Sequence, residues 1–164
     1  THVTTPYDAQ ISEYNSRLND TYIYYGSQGK ELKQRQEIQD SNAESFGVGN
    51  IVKRGKSKVS SAYKNKNWDV VDAAEDDDFV MMTIDSETLP DTLQGLNEAE
   101  LKEYVEEKAE EREEIKKEIN ELYKKREEFV KTQKTNTSTN QLDQAMIQAI
   151  RKQGESKGMN FKKD

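Results

Sequence analysis

The sequence predicts a mainly α fold, an extended helical arrangement with one long antiparallel-packed helix and at most a small β element. Three observations carry this expectation. Residues 97–132 contain no Gly or Pro and are dense in Glu, Lys and Arg. Apolar residues recur through them in steps of four and three, the 3.5-residue period of a helical seam. Leu, Ile, Val and Phe make up only 30 of 164 residues, below the roughly 20% at which cores become thin. Eight Tyr residues partly compensate, because each buries a large ring and keeps a polar tip. The core is therefore expected to be thin and extended, completed by another domain or chain.

Five regions follow from this reading: N-terminal helices and a Tyr-rich turn (1–49), a basic then acidic connector (50–96), a long amphipathic helix (97–132), a flexible link (133–139) and a C-terminal helix (140–158). The first helix is predicted to start at Thr5, with Thr5 as N-cap, Pro6 in the first helical position and Asp8 completing a capping box. Ile11, Tyr14 and Leu18 share its apolar face. Tyr22–Tyr25 is either a short strand or the packed end of that helix, since β-branched and aromatic residues favour extended backbone. A second helix is expected over 30–45, with a thin apolar face of Leu32, Ile38, Ala43 and Phe46, ended by Gly47 and Gly49. Residues 50–65 read as weakly helical at best, with Val52, Val59 and Tyr63 as anchors. Asn65–Asn67 reads as a turn leading into Trp68. Phe79–Ile84 is the best strand candidate, with Tyr22–Tyr25 or an external sheet edge as its partner.

The long helix has the best-specified start. Asn97 and Glu100 form a capping box, and Leu96 and Leu101 occupy the positions of a hydrophobic staple. Positions 101, 105, 108, 112, 115, 119, 122, 126 and 129 then form the seam, six of the nine apolar, and Lys108 and Arg112 interrupt it in the middle. Leu101, Val105, Ile115, Ile119, Leu122 and Phe129 are the candidate interaction face, with Tyr104 and Tyr123 widening it. Glu113 with Lys117 and Glu121 with Lys125 have the spacing of stabilising ion pairs. Residues 131–139 contain no apolar side chain and read as the flexible link. Leu142, Met146, Ile147 and Ile150 form the face of the last helix, ended by Gly154 or Gly158. Two helices joined by a short link are expected to pack antiparallel.

The net charge of −7 disfavours broad nucleic-acid binding. The one strongly basic stretch holds Lys53, Arg54, Lys56, Lys58, Lys64 and Lys66, followed at once by the acidic run Asp69–Asp78. Internal pairing or plain solvation is its simplest reading. An anion- or nucleic-acid-binding patch flanked by Tyr63 and Trp68 is the alternative function. The absence of Cys excludes disulfides and thiolate metal sites and fits a secreted or periplasmic protein. His2 is the only histidine, so His-based triads and multi-histidine metal sites are excluded within this chain. Asp76–Asp78 lacks the alternating ligands and turn glycine of a calcium loop. Glu106-Glu107 and Glu113-Glu114 read as a solvated face rather than acid–base pairs. No catalytic, cofactor-binding or metal-binding residue is assigned, and no cofactor is expected. No apolar run approaches the roughly 20 residues of a membrane span. The first residue, Thr1, reads as the start of a processed or excised piece.

Several blocks, in order, resemble the region that follows the von Willebrand factor A (VWA) domain in bacterial secreted proteins. They are Thr5-Pro6-Tyr7-Asp8, Leu18-Asn19, Thr21-Tyr22-Ile23, Tyr25-Gly26, Gln39–Ala43, Trp68–Ala73, Leu89-Pro90, Tyr104–Lys108 and Leu142-Asp143 to Lys157-Gly158. The resemblance implies a non-catalytic accessory or protein-interaction region, an upstream VWA domain and an unidentified protein as partners, and a periplasmic or extracellular location. The metal-dependent adhesion loop of such domains, Asp-x-Ser-x-Ser, does not occur here, so none of its residues carries over.

Overall fold

A computed structural model describes residues 3–156 of the chain. Its helices are α1 (Asp8–Asn19), α2 (Gly29–Ser45), α3 (Val48–Val59), the single-turn α4 (Val70–Ala73) and α5 (Glu98–Ser156). Three 3₁₀ turns, Met81–Thr83, Ser86–Thr88 and Asp91–Leu93, join α4 to α5. The fold is mainly α, with no named strand among the described residues. One isolated antiparallel bridge links Tyr24 to Asp69. The chain divides into two compact units, Thr1–Arg126 and Glu127–Asp164. His2 and Gly158 lie outside the described residues.

The first unit has two apolar clusters, and α5 contributes to both. Ile115, Ile119, Leu122 and Tyr123 pack with Ile11, Leu18, Tyr22, Val52 and Trp68. About three turns earlier on α5, Leu101 and Val105 pack with Ile23, Val70, Val71, Leu89 and Leu93. Burying each aliphatic side chain of this kind contributes about 1.5–3 kcal/mol. The long helix is thus packed against the shorter helices of its own chain.

The start of α5 matches its sequence signals. Glu100 N–H donates to Asn97 Oδ1 at 2.8 Å, and Asn97 N–H donates back to Glu100 Oε1 at 3.3 Å. Leu96 and Leu101 join the same cluster, which completes the staple. The polar stretch 133–139, expected as a link, is instead helical, so the predicted long and last helices are one helix. No Gly or Pro interrupts residues 96–153. Two threonines satisfy their hydroxyls on the preceding turn of the helix: Thr132 donates to the Glu128 carbonyl at 2.9 Å and Thr135 to that of Lys131 at 3.0 Å. The helix also continues through Gly154.

At the N-terminus only half of the expected capping box forms: the Thr5 hydroxyl accepts Tyr7 N–H rather than Asp8 N–H, and α1 begins at Asp8, after a turn at Pro6-Tyr7, with no side-chain cap. Asp8 accepts both the N–H and the hydroxyl of Thr5, at 3.0 and 2.6 Å. Helix α2 ends at Gly47, whose φ of +123° stops the helix and suits glycine. Gly49 ends nothing, because it lies inside α3. The expectation of a weakly helical 50–65 is corrected by α3 itself. Its glycines and β-branched residues have low intrinsic propensity. Ile51, Val52, Gly55 and Lys58 nonetheless bury one face at helical spacing against α1 and α2. The predicted apolar face of α2 is also corrected: Ile38 and Phe46 are exposed, Leu32 is half-buried, and the buried side chains are Gln36 and Asp40.

The strand expected at 79–84 does not form. The edge of Tyr22–Tyr25 is taken by the Trp68 region: Val70 N–H donates to the Ile23 carbonyl at 2.8 Å, and Tyr25 N–H to that of Trp68 at 2.9 Å. With that edge occupied, residues 79–84 satisfy their backbone through short turns, Thr83 to Val80 and Ile84 to Met81. Phe79, Met81 and Ile84 still pack on the second cluster.

Candidate functional site

Three buried ionic networks organise the first unit, and each uses a residue the seam reading treats as an interruption or a surface charge. In the first, Arg112 is almost wholly buried. Its Nε and Nη2 donate to the hydroxyl and carbonyl of Thr21, both at 2.9 Å. Its Nη1 donates to Asp69 Oδ2 at 2.8 Å and to Asp72 Oδ1 at 2.9 Å. The guanidinium lies over the Tyr22 ring, 4.0 Å from its centroid. Asp69 also caps α4 by accepting Asp72 N–H, and it accepts Ile23 N–H at 2.8 Å. Asp72 accepts Asn65 N–H at 2.8 Å. Two carboxylates share one guanidinium here. Burial pushes the Asp69 carboxyl up despite Arg112 beside it. Burial works against the Arg112 charge, but its bonds to Asp69 outweigh that, so it stays a cation.

The second network joins α1, α2 and α3. Lys58 Nζ and Arg54 Nε both donate to Asp40, and Lys58 also donates to Asn19 Oδ1 at 2.7 Å. Asn19 Nδ2 donates to Asp40 at 2.6 Å. Burial lowers the Lys58 amine to about 8, against the pull of Asp40. Burial alone raises the Asp40 carboxyl, but its bonds from Lys58, Asn19 and Arg54 hold it below the usual range. A groove of about 480 Å³ opens beside this network, lined by Asn15, Asn19 and Asp40 and by Glu13, Glu37 and Glu44. The Oδ1 of Asn15 is buried and accepts no hydrogen bond.

In the third network Arg126 donates to Asp8 and to the Val3 carbonyl, each at 2.8 Å. Burial raises the Asp8 carboxyl, yet its Thr5 and Arg126 bonds leave it lowered overall. Nearby, the Tyr123 hydroxyl donates to the Val52 carbonyl across the face of α3 at Gly55.

The candidate interaction face is only partly a surface. Leu101, Val105, Ile115, Ile119 and Leu122 are buried in the chain's own core, and Phe129 is half-buried. Among the described residues, the large apolar side chains left exposed on α5 are Leu142, Met146, Ile147 and Ile150, between 51% and 66% exposed. The six basic residues do not form one patch. Arg54 and Lys58 turn inward onto Asp40, Lys64 pairs with Glu75 at 3.0 Å, and Lys66 pairs with Asp76 at 2.6 Å. Lys53 and Lys56 are exposed. The alternation of basic and acidic runs is thus largely folded into internal pairs. Glu106, Glu107, Glu113 and Glu114 are exposed as expected. The pairs on this face run at i,i+3, Glu113–Lys116 and Glu121–Lys124, rather than i,i+4.

Sequence reasoning missed the three networks. The available signal for the first was the pattern Asp69-x-x-Asp72, an N-cap spacing, together with Arg112 among the polar positions of the seam. Among the described residues no cluster of three or more His, Cys, Asp or Glu is placed to hold a metal ion. None of their helices is long and apolar enough to cross a membrane. Comparisons with protein-family models, with curated proteins and with solved structures returned no match.

Proposed function

We propose that the chain is a non-catalytic helical accessory region that engages a protein partner, attached to a VWA-type domain of an exported bacterial protein. The observation that carries this reading is the exposed stripe Leu142, Met146, Ile147 and Ile150 on α5. Four large apolar side chains on one stretch of helix favour burial against another protein surface. The blocks that resemble the region after a VWA domain add support. Asp8, Thr21, Tyr22, Trp68, Asp69 and Asp72 belong to those blocks and also to the networks and core of the first unit. The buried ionic groups are engaged with one another and with backbone groups, which suits a structural role.

The test is light scattering of the chain alone and with a VWA-type domain joined upstream. Hydrogen exchange over 140–152 and the Ile147→Asp variant complete it. The reading predicts that 140–152 becomes protected on binding and that Ile147→Asp weakens binding without altering Tm. A stable monomer whose stripe stays unprotected beside the upstream domain contradicts it.

A further inference from the structure

A second surface lies between the 3₁₀ turns and the start of α5. A cleft of about 160 Å³ is lined by Met81, Met82, Ile84, Leu89, Leu93 and Leu101, among others. Leu89, Leu93 and Leu101 are buried, while Met82 stands 72% exposed at the lip. An apolar cavity of about 150 Å³ accepts one benzene-sized group, so this cleft has room for a single Phe ring or Leu side chain. Its methionines are unbranched and adapt to the shape of what enters.

The charge around it is one-sided. Residues 67–101 contain no Lys, Arg or His and eleven acids. Asp69 and Asp72 are spent on Arg112, and Glu75 and Asp76 on Lys64 and Lys66. Asp85, Glu87 and Asp91 flank the lining residues in sequence, and Glu98 itself lines the cleft. These four carboxylates form no ion pair among the described residues, and all four are exposed. An apolar hole with Glu98 in its wall and further unpaired carboxylates on the turns that supply its lining matches an apolar side chain carried between cations.

We propose that this cleft receives one bulky apolar side chain from a lysine- or arginine-rich segment of a protein partner. The inference rests on the reading of the chain as a protein-binding region, but it uses neither the Leu142–Ile150 stripe nor an upstream domain. A failed result on either surface therefore leaves the other standing.

Fluorescence anisotropy of the whole chain with labelled synthetic peptides tests it. One peptide carries a single Phe between two pairs of lysines. A second replaces the Phe by Ala, and a third replaces the lysines by Glu. The Phe-lysine peptide is expected to bind saturably. The Ala peptide should bind at least about tenfold more weakly, since burying an aromatic ring is worth more than that factor. The Glu peptide should not bind, and added salt should weaken the Phe-lysine peptide severalfold. Met82→Lys, at an exposed position that should leave the circular dichroism unchanged, removes the apolar lip and adds a like charge beside the peptide lysines, and should weaken binding by about fivefold or more. Equal affinity for the Phe and Ala peptides, an unaltered affinity in Met82→Lys, or no saturable binding of the Phe-lysine peptide overturns the proposal.

Discussion

Arg112 holds Thr21 with two nitrogens, Nε to the hydroxyl and Nη2 to the carbonyl, both at 2.9 Å, across 91 residues of sequence. The same guanidinium engages Asp69 and Asp72, so one side chain of α5 fixes the end of α1, the capped turn of α4 and the Tyr22 ring. Replacing Arg112 by Lys should not rescue this arrangement. An ammonium has no planar fork to serve Thr21 and two carboxylates together. Arg112→Lys is expected to unfold at lower urea than wild type by about 2–4 kcal/mol. Arg112→Met combined with Asp69→Asn and Asp72→Asn should recover part of the loss of Arg112→Met alone, because no uncompensated charge then stays buried.

Gly55 lets Tyr123 cross α3. A Cβ there meets the Tyr123 hydroxyl at 3.2 Å and Ile11 Cγ2 at 3.5 Å. That hydroxyl is tied to the Val52 carbonyl and cannot readily retreat. Gly55→Ala should therefore forfeit the roughly 1 kcal/mol that the same change normally gives in a helix interior. In a Tyr123→Phe background the gain should reappear. A double-mutant cycle by urea denaturation reads the coupling, expected at about 1 kcal/mol. Additive effects contradict the close approach.

The Lys58–Asp40 pair makes stability depend on alkaline pH. Lys58 has a folded pKa of about 8 against its ordinary 10.5. Between those values the unfolded chain keeps the proton that the folded chain releases, so the Lys58 contribution to stability rises with pH across that window. Compared with Lys58→Met, the wild type should gain about 1–3 kcal/mol between about pH 7.5 and pH 10.5. At the acid end Asp40 and Asp8 have lowered pKa values. Their contribution is present above the ordinary carboxylate value and is lost as pH falls through their folded values. Asp69 is raised and acts in the opposite sense. Asp40→Asn should flatten the acid limb of a stability–pH curve while lowering stability at neutral pH.

The stretch of α5 between Lys131 and Thr139 contains no apolar residue, which makes its helix sensitive to backbone propensity. Thr132→Ala with Thr135→Ala should raise helicity at 222 nm, each change worth a few tenths of a kcal/mol. Thr135→Pro should lower it clearly. Unchanged helicity in Thr135→Pro contradicts a continuous α5.

Much of this architecture is legible in local signals. The Asn97–Glu100 box and the Leu96–Leu101 staple depend on a few neighbouring residues, and both form. The helical class and the end of α2 at Gly47 follow from equally local chemistry. Long-range effects were not legible. Helix α3 exists because Ile51, Val52, Gly55 and Lys58 find partners in α1, α2 and α5, although its own composition resists helix. Phe79–Ile84 has strand composition but no unoccupied edge, because Trp68–Val70 already pairs with Ile23–Tyr25. The seam of α5 packs with the period its sequence predicts, and two of its polar positions are engaged inside the chain. Arg112 and Arg126 are where buried carboxylates from elsewhere in the chain converge. No spacing within α5 encodes those distant partners.

The central structural claim is that the seam of α5 is the core of its own chain and that Arg112 closes it. Equilibrium urea denaturation of Arg112→Met, followed by the fluorescence of the buried Trp68, tests this most directly. The account predicts a loss of about 3–5 kcal/mol with an unchanged dependence on urea. A loss below about 1 kcal/mol, the range of an exposed ion pair, contradicts it.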